Sequence, residues 1–473
     1  MQPTSPRFRQ NVQESLADSG LQSALARTRN RFIDSRAKAA AALPEFERLR
    51  ETGRDIKNHT IAHLDFYLET FERNVIANGG QVHWAATAED ARRIVLDICR
   101  AAGAKTVTKG KSMISEEMGI NDHLSAHGIT PVETDLGEYI IQLKHEPPSH
   151  IIAPAFHLNR EDWEQRFRDS HTHLDPDRRF AERRDILAEA RSVLRERFMA
   201  ADVGITGANF LIAETGSSVI VTNEGNGDLT QTIPRVHIAL ASIEKVVPTI
   251  EDATSLLRIL ARSATGQDFS VYTTFSSGCR RPGDSDGPEQ YHVVILDNGR
   301  SGMVGTDFQP MLRCIRCAAC LNHCPVYMTV GGHAYGWVYP GPMGSVLTPT
   351  LIGVDAAGHL PNASTFCGRC ESVCPVKIPL PGMMRHWREK QFERHLTPAA
   401  ARYGLAFWAW FARRPALYRL ATRAAMGTLG LLGRRKGRFG WLPLAGGWTA
   451  GRDMPAPEGG TFMARYKAAV RRA

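Results

Sequence analysis

Seven of the nine cysteines lie between Cys314 and Cys374, in two runs. The first run holds Cys314, Cys317, Cys320 and Cys324 and closes on Pro325, a C-x2-C-x2-C-x3-C-P spacing. The second holds Cys367, Cys370 and Cys374 and closes on Pro375, the same pattern without its first cysteine. Nothing else in the chain limits its fold so strongly. Thiolates spaced by two residues on one tight loop converge on a small common object. A further cysteine after three residues, followed by proline, opens the next segment and points away from that loop. An odd, clustered set of this kind suits metal ligation in a reducing compartment rather than a disulfide framework.

The spacing is that of two iron–sulfur clusters with crossed ligands. It predicts one 4Fe–4S cluster on Cys314, Cys317, Cys320 and Cys374, and a second on Cys324, Cys367 and Cys370. The second set is one thiolate short, and Ser364 stands at the missing position. Three completions are open there: the Ser364 oxygen, another oxygen or partner group, or a three-iron cluster. Zinc is the competing metal, but it favours two separated C-x2-C pairs that close a single tetrahedron. Two bridged clusters lie within electron-transfer range and form a wire. Arg313, Arg316 and Arg369 flank the ligands. They either raise the cluster potentials or serve as solubilising and docking charges. His323 is read as a hydrogen-bonding side chain, and Cys99 and Cys279 as structural.

The remaining chain divides by pattern. Residues 1–75 are charge-rich with apolar positions at helical spacing, a helical arm. Residues 76–300 alternate strand and helix signals, the mark of an α/β sheet domain. Strands are expected at Gln81–Ala85, Thr106–Thr108, Thr130–Glu133, His150–Ala153, Phe210–Ala213, Ser218–Thr222, His237–Leu240 and His292–Leu296. Helices are expected after a Thr87/Asp90 capping box, over Met113–His127, Glu161–Phe167, Arg178–Met199 and Ile250–Ala261. Residues 301–395 form the cysteine domain, and residues 396–473 a tail. Residues 381–473 carry 18 Lys+Arg against 4 Asp+Glu, whereas the other 380 residues carry 40 against 45. The basicity therefore belongs to the tail, which could meet nucleic acid, anionic lipid or an acidic partner subunit.

No G-x-G-x-x-G follows a strand, so nothing supports a dinucleotide site. The start lacks an apolar signal segment. The longest apolar run, Gly404 to Ala412, falls short of the about 20 residues a span needs. A cytoplasmic protein is expected, with Phe407, Trp408, Trp410, Phe411, Arg413 and Arg414 either as a peripheral anchor at the inner face of the membrane or as a packed helix.

With these residues in view, the chain resembles the lactate utilization protein B family, iron–sulfur subunits of a three-component L-lactate oxidation complex. The resemblance rests on Lys109–Met118, Val132–Ile140, Glu146–Pro154, Glu214–Asn226 and the cysteine domain with its Tyr335–Gly344 linker. It implies an α/β lactate-utilization domain, like that of sugar-phosphate isomerases and coenzyme A transferases, joined to a mainly α-helical ferredoxin-type two-cluster domain. It also implies partner subunits, including a cysteine-rich-domain protein and a second lactate-utilization-domain protein, and no nucleic acid. Sites in such folds sit at strand ends, where Lys109, Lys111, Glu214 and residues 222–227 are candidates. Residues 222–227 either cradle an anion or form a turn with glycine at positive φ. Three functions remain distinguishable: an electron-transfer subunit, a chain that itself oxidises lactate, and a redox-sensing module.

Overall fold

The computed structural model describes residues 3–110, 112–443, 445–449, 451–458 and 460–470. The chain forms two compact units, residues 1–391 and 392–473.

Among the described residues of the first unit, ten strands build two sheets. They are β1 (Gln81–Ala85), β2 (Thr106–Gly110), β3 (Thr130–Glu133), β4 (Val203–Gly207), β5 (Phe210–Ile212), β6 (Ser217–Thr222), β7 (Val236–Ser242), β8 (Val246–Val247), β9 (Tyr272–Ser276) and β10 (Gln290–Leu296). Six form an all-parallel sheet in the order β1-β10-β7-β4-β2-β3. β8, β5, β6 and β9 form the smaller sheet. Central strands of a parallel sheet are covered on both faces, so they read as unbroken apolar runs. β7 is buried along its whole length. The Ala88–Ala101 helix starts at the Thr87/Asp90 capping box and stops before Gly103, at φ 66°. Gly204 of β4 lets the Asn226–Thr232 helix lie flat on the sheet, because a Cβ there would fall 1.7 Å from the Thr230 carbonyl oxygen.

Three sequence expectations are corrected, and one unexpected helix is added. The segment expected as one helix over Met113–His127 is two, Met113–Met118 and Ile120–Ala126, broken where Gly119 turns left-handed. His150–Ala153 is a loop, because the Ile152 and Ala153 amides donate to His150 Nδ1 instead of to a strand. The long helix begins at Arg183, not Arg178, whose guanidinium is engaged with Glu189. Residues 226–232 form a helix that sequence reading passed over, hidden because Gly225 and Gly227 resemble a turn.

The N-terminal arm wraps the cysteine segment. The Thr4 amide donates to the Gly336 carbonyl (2.7 Å), Arg29 to Met328, Arg36 to Val373, and Arg50 to the Cys374 carbonyl (2.7 Å). Phe46, Leu49 and Ile61 share one apolar core with Leu256 and Leu260 of the Ile250–Ala264 helix and with Met311, Leu321, Tyr327 and Val376.

The second unit carries the helices Ala399–Ala412 and Pro415–Gly433. The first of these buries no residue, and Tyr403, Phe407, Trp408 and Trp410 are exposed. Among the described residues, no helix is long and apolar enough to cross a membrane.

Candidate iron–sulfur and ligand site

The two cysteine runs repeat one backbone design. In the first, Arg316 and Ala318 flank Cys317 with φ of 60° each; in the second, Phe366 and Gly368 flank Cys367 with φ of 53° and 76°. Left-handed residues alternating with extended or helical ones turn successive amides to one side and make a concavity for a negative group. Non-glycine residues hold such angles only at a cost, and that cost concentrates at functional sites. A single helical turn follows each, Ala319–Asn322 and Arg369–Ser372. The closing thiol of each run then accepts a downstream amide: Tyr327 N–H donates to Cys324 Sγ at 3.5 Å and Ile378 N–H to Cys374 Sγ at 3.4 Å.

The thiols sort into two adjoining sets. Cys317 senses Cys374 and Cys314, and Cys320 senses Cys314, Cys317 and Cys374. Cys370 senses Cys324 and Cys367. Cys320 also senses Cys370, so the sets are neighbours. Cys314, Cys317, Cys320 and Cys374 line one small enclosure of about 20 Å³, walled by Ile151, Met343 and Leu380. Burial pushes the Cys317 and Cys320 thiols up, Cys370 to about 12 and Cys374 to about 11. Thiols so placed ionise when a metal displaces the proton. Among the described residues, no group of three or more His, Cys, Asp or Glu is disposed to hold a single metal ion. A cubane, by contrast, takes thiolates at the corners of a larger body. Donor chemistry, left-handed amide loops and the four-thiol enclosure all fit iron–sulfur clusters.

Cys367 is exposed, and Ser364 is half-buried. The Ser364 hydroxyl oxygen accepts the Phe366 amide at 3.1 Å. His323 donates from Nδ1 to the Ala319 carbonyl (2.9 Å). Cys99 is buried in the sheet core, and the Cys279 thiol meets the Gly79 carbonyl.

Charges reach this region from distant segments. Arg36 senses Cys317 and Cys374. Arg313 is held by Asn58 (2.7 Å) and by the Lys377 carbonyl, and Arg369 is exposed. Arg316 pairs with Glu244 at 3.0 Å and lies 4.8 Å from the Tyr339 ring centroid. Glu244 also faces Arg300 (3.3 Å), which pairs with Glu117 at 2.5 Å. Glu117 receives the Tyr339 hydroxyl and Asn298 Nδ2, each at 2.7 Å. Burial alone would raise the Glu117 carboxyl, but Arg300 holds it below the usual carboxylate range. This buried network joins the α/β sheet to the cysteine segment. The Glu146–Pro154 loop joins them again. His150 donates from Nε2 to Asn322 Oδ1 (2.9 Å), and the Ser149 carbonyl accepts Tyr327 OH (2.8 Å). His333 donates from Nε2 to the Pro147 carbonyl at 2.8 Å.

A second cavity, of about 170 Å³, opens beside the four-thiol enclosure. It lies at the carboxyl edge of the sheet, among Ser112 and Met113 after β2, Asp135 after β3, and Asn209 after β4. From β2 the chain passes to β3 on one side, and from β4 to β7 on the other. Such a switch point parts the loops and leaves a crevice where open parallel sheets bind ligands. Lys245, Arg316 and Cys317 also line it.

The strand-end candidates fare differently. Lys109 is buried, paired with Glu116 (2.5 Å) and Glu133 (2.7 Å), so it is occupied within the fold rather than presented to a ligand. Lys111 lies outside the described residues. Glu214 is an exposed turn residue that accepts the Ile250 amide at 3.3 Å, a cap rather than a catalytic carboxylate. Of residues 222–227, Thr222 and Asn223 line the cavity, and the rest turn into a helix. Sequence reading missed Lys245, Glu244 and Arg36, because no motif spacing marks them. The one available signal for Lys245 was its place just after the apolar β7 run.

Comparison with known proteins finds three matching families. The LUD domain family matches residues 68–296, the 4Fe-4S dicluster domain family residues 310–378, and the family described as "Lactate utilisation protein B, C-terminal" residues 369–469. The lactate utilization protein B of Macrococcus caseolyticus is 43% identical over 96% of this chain and 95% of its own. Those of Bacillus pumilus and Lysinibacillus sphaericus are 42% and 40% identical, over 97% and 98% of this chain and 97% of each relative. A DUF162 family protein from Deinococcus radiodurans aligns with a TM-score of 0.26 and 14% identity, over 49% of this chain and 98% of that one. An α/β LUD domain joined to a mainly helical dicluster domain, with full-length relatives of that name, identifies the chain as a member of the lactate utilization protein B family.

Proposed function

We propose that this chain is the iron–sulfur electron-transfer subunit of a multi-component system that oxidises L-lactate to pyruvate. The observation that carries this reading is the pair of adjoining thiol sets in matching left-handed loops. Cys314, Cys317, Cys320 and Cys374 would hold one 4Fe–4S cluster. Cys324, Cys367 and Cys370 would hold the second, completed at the Ser364 side by oxygen or left as a three-iron cluster. Such clusters pass electrons singly, and lactate oxidation releases two electrons and two protons, so two adjoining carriers suit it. The chain's own residues exclude water from the first set, through Ile151, Met343 and Leu380. They supply cationic surroundings through Arg36 and Arg316.

The second set has the exposed Cys367 and is the exit toward an acceptor. The exposed aromatic helix Ala399–Ala412 and its basic surroundings dock a partner subunit, a cysteine-rich-domain protein or a second lactate-utilization-domain protein. Anaerobic co-purification with these partners, followed by iron and sulfide counts and lactate-dependent EPR, tests the reading. Iron-free protein with no reducible signal after reconstitution would refute it. Sedimentation of the isolated chain with anionic vesicles, lost on deleting residues 400–473, would point to the inner face of the membrane instead of a partner.

A further inference from the structure

The cavity at the sheet's carboxyl edge and the four-thiol enclosure share a wall made of Ile151, Arg316 and Cys317. Three donors in the cavity lining lack protein partners. Lys245 is only 6% exposed, and among the described residues it makes no hydrogen bond or ion pair. Thr222 Oγ1 and Arg316 Nη1 are buried without a partner. Buried polar groups are otherwise matched almost everywhere in folded proteins, and an unmatched buried cation is costly. Three such donors in one small cavity are what a bound anion would satisfy.

A cluster in the enclosure is the competing claimant. It competes for Arg316, which lines both cavities. Burial pushes the Lys245 ammonium down to about 8, against the neighbouring Glu244 and Cys314, which favour its charged form. Lys245 and Thr222 nevertheless line the larger cavity and not the enclosure, so their hydrogen bonds remain to be made.

The lining also limits the ligand. At about 170 Å³ the cavity is smaller than the ~300–1,000 Å³ of sites for drug-sized molecules. Leu240, Leu260 and Ile152 provide apolar surface for a short carbon chain.

We propose that this cavity binds a small monocarboxylate carrying a 2-hydroxyl or 2-oxo group, its carboxylate on Lys245 and Arg316 and its 2-oxygen near Thr222. The choice of class rests on the lactate reading above; the cavity and its unmatched donors do not. Binding there sets the ligand against the wall of the first thiol set and makes the site part of this chain rather than of a partner.

Titration calorimetry on the anaerobically reconstituted full chain tests this, with L-lactate, pyruvate, propionate and inorganic phosphate as probes. Saturable one-to-one binding of lactate or pyruvate is expected, with propionate and phosphate weaker. Lys245→Met should weaken it at least about tenfold and Thr222→Val a few-fold, as expected for loss of a charge-assisted and a neutral hydrogen bond. Pyruvate should also shift the EPR line shape of the reduced wild type and Thr222→Val, but not of Lys245→Met. Absent binding, or binding unchanged in both variants, overturns the proposal; tighter binding of phosphate overturns the ligand class. The Thr222→Val arm and the wild-type titration decide the matter even where Lys245→Met fails to fold. Calorimetry does not require the clusters, so an iron-free preparation would refute the cluster reading while leaving this test in force.

Discussion

Glu117→Gln is the sharpest test of how the sheet is bound to the cysteine segment. The side chain of Glu117 is fully buried and gathers bonds from Arg300 Nη1 (2.9 Å), Arg300 Nη2 (2.5 Å), Tyr339 and Asn298. Gln keeps the shape and removes the charge. Breaking a buried ion pair by taking away one partner costs about 3–5 kcal/mol. Arg300 keeps Glu244 at 3.3 Å, so the lower end, about 3 kcal/mol, is expected. Unfolding entropy of about 2.1 cal/mol/K per residue, over the unit of residues 1–391, gives about 0.8 kcal/mol/K. The melting temperature should therefore fall by about 4 °C, read by anaerobic calorimetry on protein of matched iron content. Tyr339→Phe leaves a buried carboxylate one donor short, at about 1.5–3 kcal/mol. Because both act on one carboxylate, their costs should not add in the double variant. A Glu117→Gln melt within 1 °C of wild type, or full additivity with Tyr339→Phe, would refute the network as the rivet between the two parts.

Cys374→Ser should deplete the cluster of the first run, although Cys374 belongs to the second, and Cys324→Ser should deplete the other; iron and sulfide counts with EPR of each variant show which signal is lost. Lys109→Met removes the cation between Glu116 and Glu133, at about 3–5 kcal/mol. The Glu133 and Glu138 carboxyls are already raised in the fold, chiefly by burial. A raised carboxyl contributes stability below its unfolded pKa and loses it as pH rises through the folded one. The deficit should therefore be larger at pH 8 than at pH 5.5, and urea midpoints that move the opposite way would contradict the assignment.

What could be read in advance follows from how local each signal is. The capping box at Thr87/Asp90 and the αL stop at Gly103 involve neighbours in sequence, and both are found as expected. The cysteine spacing is local in the same sense. The His150–Ala153 loop failed as a strand because its amides are satisfied by His150, whose other nitrogen is fixed by Asn322, 172 residues away. Such a competitor leaves no trace in β-propensity. The Asn226–Thr232 helix was hidden by glycines whose reason is long-range, since Gly227 Cβ would meet Thr222 Cγ2 at 2.9 Å. Lys245 was invisible for a different reason. A lone lysine after a strand is ordinary, and only burial without a partner makes it informative.

The same non-local logic bears on the arm. Several of its hydrogen bonds end on the cysteine segment some 300 residues later, at Met328, Gly336, Val373 and Cys374, while Lys57 reaches the Glu244 and Val246 carbonyls of the α/β domain. Arg36 reaches the loop before Cys374, and Arg50 the carbonyl of Cys374 itself. Arg36 satisfies the Val373 carbonyl, which helix and sheet ladders leave unpaired, and an unpaired buried carbonyl is costly; Arg50 joins the Lys377 amide on the Cys374 carbonyl. Deleting residues 3–40 removes the Arg36 bond and leaves Arg50. The loops carrying Cys324 and Cys374 should then open more often, since local opening follows the loss of such anchors. Faster loss of iron to a chelator is expected, with the single variant Arg36→Met showing part of the effect while the α/β sheet still melts as in wild type. Equal chelation rates for the wild type, Arg36→Met and the deletion would mean that the cysteine loops hold their shape unaided, and the arm would then be a cover rather than a brace.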